Sequence, residues 1–263
     1  MKTITIKTMY YQQFDADLSM EVPGEGYKGW QAAELPVDLH STGFVFMHAW
    51  NCGTPEQYPG VYRACEYIPR ANKISETVLP PLLSALRKTK ANIYHVAGDA
   101  HGLDKYPGYH PAIAAQRSFS APKNETSAVL HEFRSRNVFT GKHNEEDCDK
   151  SAPHKNFHPG AAPKGDEPIF LDEETMAKRC VEDGVNHLIY SGFAINWCLA
   201  MSPCGMFDMG RRGFICSAIR DAVTAVENKE SARTESHKEE ALWRTAIAWG
   251  FVYDSKDIIG GIL

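Results

Sequence analysis

A chain of 263 residues, 43% hydrophobic and 23% charged, is large enough to bury a core without disulfide or metal staples. Its formal net charge of -5 argues against a nucleic-acid binder working through a broad basic face, and no apolar run approaches the ~18 residues of a membrane span. Seven cysteines, an odd number with no CxxC pair, read as reduced thiols, and "MKTITIKTMYYQQFD" has no apolar leader, so a soluble cytoplasmic protein is expected.

Residues 1–40, rich in Tyr, Gly and acidic side chains, read as an irregular or short-stranded lead-in. The first strong signal is "GFVFMHAW" (43–50), an apolar run of strand length suited to burial on both faces. After a loop holding "CGTPEQYPG", the stretch "ISETVLPPLLSALRKTK" spaces Leu79, Leu82, Leu83 and Leu86 by three and four. Arg87, Lys88 and Lys90 fall at its end, where a helix dipole favours cations, so one helix is predicted. "NIYHVAG" (92–98) is a second buried strand, which completes a right-handed βαβ unit. From about 121 to 168 apolar residues thin out. "SAVLHEFRSR" predicts a helix there, and "TGKHNEEDCDKSAPHKNFHPGAAPKGDEP" a long polar insertion of the kind that forms lids, binding loops or interface arms.

Regularity returns with "DEETMAKRCVEDG", a helix with Asp172 as N-cap and Gly184 as its stop. "NHLIYSG" predicts a strand, "INWCLAMSPCGMFDMGRRG" a mostly helical stretch with an irregular turn at Pro203, and "FICSAI" another strand. "SHKEEALWRTAIAWG" carries a capping box (Ser236 with Glu239), an apolar stripe of Leu242, Thr245, Ala246 and Trp249, and Gly250 as its stop. "FVYDSKDII" closes with an edge strand. Strands alternating with helices predict one α/β domain over 1–263, an open, mostly parallel sheet with helices on both faces in a Rossmann-like three-layer α/β/α arrangement.

Ligands of such sheets collect at the carboxyl ends of the strands. His48 ends the first apolar strand, Asp99 and His101 follow the second, and Cys198 follows the strand that ends at Ser191. If those strands are neighbours, the three ends open onto one crevice. A thiolate at Cys198 gains from unpaired N–H groups at a helix start, and the same groups can hold an oxyanion at an attacked carbonyl. The competing reading is an inert thiol packed under its helix, as Cys180 should be.

The segment "GFAINWCLAMSPCGMFDMGRRGFICSAIRDA" resembles the signature of the isochorismatase-like cysteine hydrolases, a family that includes nicotinamidases and other amidases. The resemblance is close over 192–222 and looser over 43–98. It implies that Gly192, a small-residue turn with a non-proline cis peptide within 193–195, and Cys198 build the nucleophile and its oxyanion hole. The donors would be the backbone N–H groups of Ala194, Ile195 and Cys198. The family ends its first strand with an aspartate base, and this chain has His48 there, a group able to take a thiol proton near neutral pH. The other reading of His48 is a satisfied polar residue in a weakened site. For the family's lysine no match is placed. Lys164 lies in a proline-glycine turn, and Arg134 or Arg136 in "FRSRNVF" are alternative cations that a solvated helix face explains equally well.

Nicotinamidase-like relatives bind a metal through Asp-x-His after the second strand plus a further histidine. Asp99, His101 and His110 fit that spacing, with local hydrogen bonding as the ordinary alternative, and no cofactor is otherwise implied. His131, His143, His154 and His158 with Cys148 fit no zinc spacing. Trp50, Tyr58, Tyr62 and Tyr67 are candidates for a pocket wall, an oligomer contact or core packing. The function expected is hydrolysis of a small-molecule amide or related acyl C–N bond through a Cys198 thioester-type intermediate, with His48 in place of the aspartate. The alternative is a weakened or inactive relative acting as a binding or assembly protein. Vinyl-ether hydrolysis ranks below both, because in the family it depends on the aspartate that position 48 lacks. Nucleic-acid and membrane partners are not expected, and the resemblance implies a homodimer or homotetramer.

Overall fold

The computed structural model describes residues 3–109, 111 and 121–263. Two long strands open it, β1 (Thr3–Gln12) and β2 (Gly29–Asp38), paired antiparallel from end to end. Two ten-residue strands thus stand where an irregular or short-stranded lead-in was expected over 1–40. In β1, buried Ile4, Ile6 and Thr8 alternate with exposed Thr3, Thr5 and Lys7, the period of a strand covered on one face only. Next come β3 (Thr42–Met47), the two-residue β4 (Trp50–Asn51), α1 (Pro59–Ala64), α2 (Ile68–Thr77), α3 (Leu79–Leu86) and β5 (Asn92–Val96). The single helix expected before β5 is therefore two. Pro80 and Pro81 have no N–H to donate and are tolerated only in the first turn of a new helix, so α2 ends before them.

In the 121–168 segment the helix expected from "SAVLHEFRSR" is α4 (Glu125–Asn137), and the polar loop expected after it holds α5 (Glu145–Ser151) and the two-residue β6 (Asn156–Phe157). Then follow β7 (Ile169–Phe170), α6 (Glu173–Glu182), β8 (His187–Phe193), the short helices α7 (Cys198–Met201) and α8 (Met206–Arg211) on either side of Pro203, and β9 (Ile215–Thr224). Asp172 caps α6 as expected, accepting from the Thr175 N–H at 2.9 Å.

The chain ends with α9 (Ser236–Ala248), β10 (Val252–Tyr253) and α10 (Ser255–Ile262). The capping box of α9 does not form. The buried Glu227 carboxylate accepts from the N–H groups of His237 (3.1 Å) and Lys238 (3.0 Å) instead, and Glu239 pairs with Arg220 at 2.8 Å. The last strand is not an edge either. The sheet order is β2-β1-β10-β9-β8-β3-β5-β7, with β10 between β9 and β1, and "SKDII" belongs to α10.

From β10 to β7 every pairing is parallel. The pleat of β3 shows how both faces are covered. Phe44 and Phe46 pack with Leu79, Leu82, Leu83 and Leu86 of α3, while Val45 and Met47 pack on the other side with Met176 and Cys180 of α6. Gly192 lets β8 lie against β3: its φ is +119°, and a Cβ there would overlap the Met47 carbonyl oxygen. Gly192→Ala is expected to lower the unfolding free energy in urea by about 3–5 kcal/mol. Gly184→Ala, at φ +71° with open space around it, should cost about 1 kcal/mol. Equal losses in the two variants would contradict this packing.

Candidate active site

Strands β8, β3 and β5 are consecutive in the sheet, with Met47 opposite both Gly192 and Val96. The residues just beyond them, Cys198, His48 and Asp99, therefore leave the same edge, and the adjacency assumed for one crevice holds. A second, two-stranded sheet adds what the sequence reading did not place. β4 pairs antiparallel with β6, Trp50 opposite Phe157 and Asn51 opposite Asn156, which sets Lys155 beside the end of β3. The Lys155 ammonium donates to Asp99 Oδ2 at 2.7 Å and lies 4.3 Å from the centroid of the Trp50 ring. The backbone of Lys155 is held too, its carbonyl accepting from the His101 N–H at 2.8 Å.

His48 occupies an uncommon place. Its φ is +52°, its N–H donates to the Val96 carbonyl at 2.9 Å, and its ring stacks on Trp50 with centroids 4.5 Å apart and an angle of 14°. Trp50 is itself anchored by its indole N–H on the Ala97 carbonyl at 3.0 Å. Gly98, at φ +57°, faces His48, and a Cβ there would come within 2.6 Å of His48 Nε2. The ring is buried, and its Nδ1 has no hydrogen-bond partner among the described residues. Burial pushes the imidazole down to about 4, against the upward pull of the Asp99 carboxylate and with a further downward push from Lys155. For Asp99, burial acts upward, but the bonded Lys155 ammonium outweighs it and holds the carboxyl below its ordinary value. The side chain of Asp99 is largely exposed, so solvent screens that pairing.

In the turn before Cys198, the peptide between Phe193 and Ala194 is cis, within the stretch where the resemblance calls for one. The N–H groups of Ala194 and Cys198 donate to no backbone carbonyl among the described residues. The Ile195 N–H is different. It donates to the Thr224 carbonyl at 2.9 Å, so it drops out of the expected donor set. Asn196, which sequence reasoning missed, fastens the turn to the chain after β9: its amide donates to the Val226 carbonyl at 2.8 Å and accepts from the Val226 N–H at 2.9 Å. Cys198 opens α7, a single helical turn, so free N–H groups rather than a long dipole are what the turn offers. Next to the half-buried Cys198 in the chain, Trp197 is 57% exposed and Met201, one helical turn on, is 61% exposed.

The other candidates scatter. Arg134 and Arg136 lie on α4, where Arg136 pairs with Glu132 at 3.4 Å, and Lys164 sits exposed in the turn before β7, its N–H on Glu167. His101 is exposed and His110 lies outside the described residues. Among the described residues no group of three His, Cys, Asp or Glu side chains could hold a metal ion, and the Asp99 carboxylate is taken by Lys155. His131 and His143 are exposed, and His158 Nδ1 accepts from the Gly160 N–H at 3.1 Å. Tyr62 donates to the Gly53 carbonyl at 2.7 Å. Tyr67 is packed so that burial pushes its hydroxyl up, helped by the nearby Cys65, Cys198 and Cys52. A cleft of about 290 Å³ beside Lys155 is lined by Cys52, Tyr58, Val61, Ser151 and His154 among others.

His48 also marks a pH dependence. With its pKa depressed to about 4 in the fold and about 6.5 in the unfolded chain, the stability from keeping it neutral is present above pH 6.5 and is lost as pH falls toward 4. His187, also pushed down to about 4 by burial, acts in the same window. Urea denaturation from pH 7 to 4 should show falling stability. His48→Asn, a side chain that tolerates positive φ, should remove roughly 3 kcal/mol of that fall. An unchanged pH profile in the variant would contradict the assignment.

No protein-family model matches this sequence, and no curated protein matches it. Among solved structures, the chain is similar to a cysteine hydrolase from Pseudomonas syringae pv. phaseolicola 1448A, at 14% identity and TM-score 0.52, with 87% of this chain and 95% of that one covered. It is also similar to an isochorismatase-like hydrolase from Alkaliphilus metalliredigens (15% identity, 85% and 98% covered, TM-score 0.46). A nicotinamidase pyrazinamidase from Acinetobacter baumanii is matched at 12% identity, 83% and 98% covered, and TM-score 0.41. The first of these likenesses shows the fold: the chain shares the open, mostly parallel α/β/α architecture of that cysteine hydrolase.

Proposed function

We propose that this chain hydrolyses a small, uncharged amide or related acyl C–N bond with Cys198 as nucleophile. The observation that carries the reading is the convergence of three adjacent parallel strand ends. They deliver a thiol with two free backbone N–H groups, a neutral imidazole, and a carboxylate paired with a lysine. The exposed apolar side chains of Trp197 and Met201, close to Cys198 in the chain, favour a substrate without charge.

In the proposed reaction the Cys198 thiol gives its proton to His48 and the sulfur attacks the carbonyl carbon. The N–H groups of Ala194 and Cys198 hold the tetrahedral oxyanion. Collapse breaks the C–N bond, the imidazolium protonates the leaving nitrogen, and the acyl group stays on sulfur as a thioester. Water, losing a proton to His48, attacks that thioester. The carboxylic acid leaves, and the sulfur recovers its proton from the imidazolium. Asp99 stabilises the imidazolium in both halves, and Lys155, bonded to it, holds the carboxylate in place. Relative to the expectation of His48 alone, the carboxylate of the site comes from the strand next door.

A specific observation favours the second reading, a weakened relative that binds rather than catalyses: burial pushes His48 to about 4, which makes it a weak base. Ammonia release from a panel of aliphatic, aromatic and heteroaromatic carboxamides separates the two. The hydrolase reading expects turnover that falls at least about 10³-fold in Cys198→Ala and about 10²-fold or more in His48→Asn. Full activity in Cys198→Ala would refute the mechanism, and a folded wild-type protein that releases no ammonia from any of the panel would favour the second reading.

A further inference from the structure

Helix α4 has an arrangement that the catalytic reading does not use. It starts on a local signal: the Asn124 side chain accepts from the Ser127 N–H at 2.8 Å, and Ser127 Oγ accepts from the Asn124 N–H at 3.0 Å. None of its thirteen residues is buried, and Val129, Leu130 and Phe133 are 65%, 60% and 62% exposed. With Thr126 and Asn137 they fall at i, i+3, i+4, i+7 and i+11, one stripe along the helix. A helix this short, with its whole apolar stripe in water, is marginal on its own, so the stripe has the make-up of one half of a helix pair.

The charges beside the stripe select the other half. Glu125 stands at the first turn and Arg136 at the last, on the same flank of the stripe, three helical turns apart. A second α4 laid antiparallel, with its midpoint near His131, sets Val129 against Phe133 of the other copy and brings Leu130 of both copies together near the axis. The same register places Glu125 of each copy beside Arg136 of the other, twice by symmetry, and opposes the two helix dipoles. The i,i+4 pair of Arg136 with Glu132 at 3.4 Å, both exposed, joins this charged margin without closing it off. The stripe is thus self-complementary in shape period and in charge, which a surface for an unrelated partner need not be.

We propose that α4 is the contact by which two copies of this chain form an antiparallel, two-fold homodimer. The segment that carries α4 is tied to the body: Ser135 Oγ donates to Glu145 at 2.7 Å, and Asp147 of α5 accepts from the Gly60 N–H at 2.6 Å. It then runs on through α5 to Lys155, so the dimer contact and the lysine of the candidate site belong to one continuous insertion. The inference does not depend on the reaction proposed above, since it is read from exposed residues that touch neither Cys198 nor His48.

Sedimentation velocity over a range of concentrations tests it on the whole chain. Wild type should sediment as a species of twice the chain mass, and Phe133→Asp should weaken the dimer at least about tenfold while leaving the thermal unfolding of the monomer unchanged, because the side chain is exposed. Glu125→Arg and Arg136→Glu should each weaken it about three- to tenfold, and combining them should restore it, because the swapped charges again oppose. A wild-type chain that stays monomeric leaves the stripe to another occupant and overturns the proposal. A dimer insensitive to Phe133→Asp, or a double swap no tighter than the single ones, overturns it equally.

Discussion

The in-register parallel pairing of β3 with both β8 and β5 is the constraint on which the candidate site depends. It requires backbone at Gly192 with no side chain, because the Met47 carbonyl occupies the space a Cβ would need. It requires a strand buried on both faces, which β3 achieves by sending Phe44 and Phe46 to one core and Val45 and Met47 to the other. Once those strands lie side by side, the next residues of each, His48, Asp99 and the turn to Cys198, have no other edge to leave from. That these three residues share one edge is a consequence of packing several residues earlier.

Electrostatics then divides the labour among residues that sequence position alone would group. His48 stands where the resembled family has a carboxylate, yet burial against Trp50 and Gly98 keeps it neutral, so it cannot replace a negative charge. The negative charge is on Asp99, one strand over, where the bonded Lys155 holds its carboxyl below the ordinary value. In the proposed reaction the pair Asp99–Lys155 is nearly charge-balanced at rest, and Asp99 gains value when His48 takes a proton. The feature that argues for a weak resting base is thus also the one that leaves the imidazole free to accept.

Much of this was legible in the chain. The parallel strands β3 and β5 and the capped helix after Asp172 stand where periodicity and capping put them, although the one helix expected between the strands is two. The turn from Gly192 to Cys198 stands where the resemblance put it. β1 was legible in principle as well, through its alternation of Ile4, Ile6 and Thr8 with polar neighbours; a search for continuous apolar runs finds only strands covered on both faces. Lys155 was not legible, because a two-residue pairing such as β4 with β6 has no period to detect and its partners lie about a hundred residues apart in sequence. The withdrawal of Ile195 from the oxyanion donors was equally hidden. It follows from where the Thr224 carbonyl ends up, a tertiary fact with no local signature.

The central claim is that a carbonyl carbon is attacked by the Cys198 sulfur in a site completed by His48 and by backbone donors. An aldehyde analogue of the best carboxamide substrate, labelled with carbon-13 at the carbonyl, has no leaving group and stalls after attack. Its carbon spectrum on wild-type protein should contain a bound hemithioacetal resonance that is missing in Cys198→Ala. The same resonance in Cys198→Ala, or only free aldehyde and its hydrate on a saturated wild-type protein, would contradict the account.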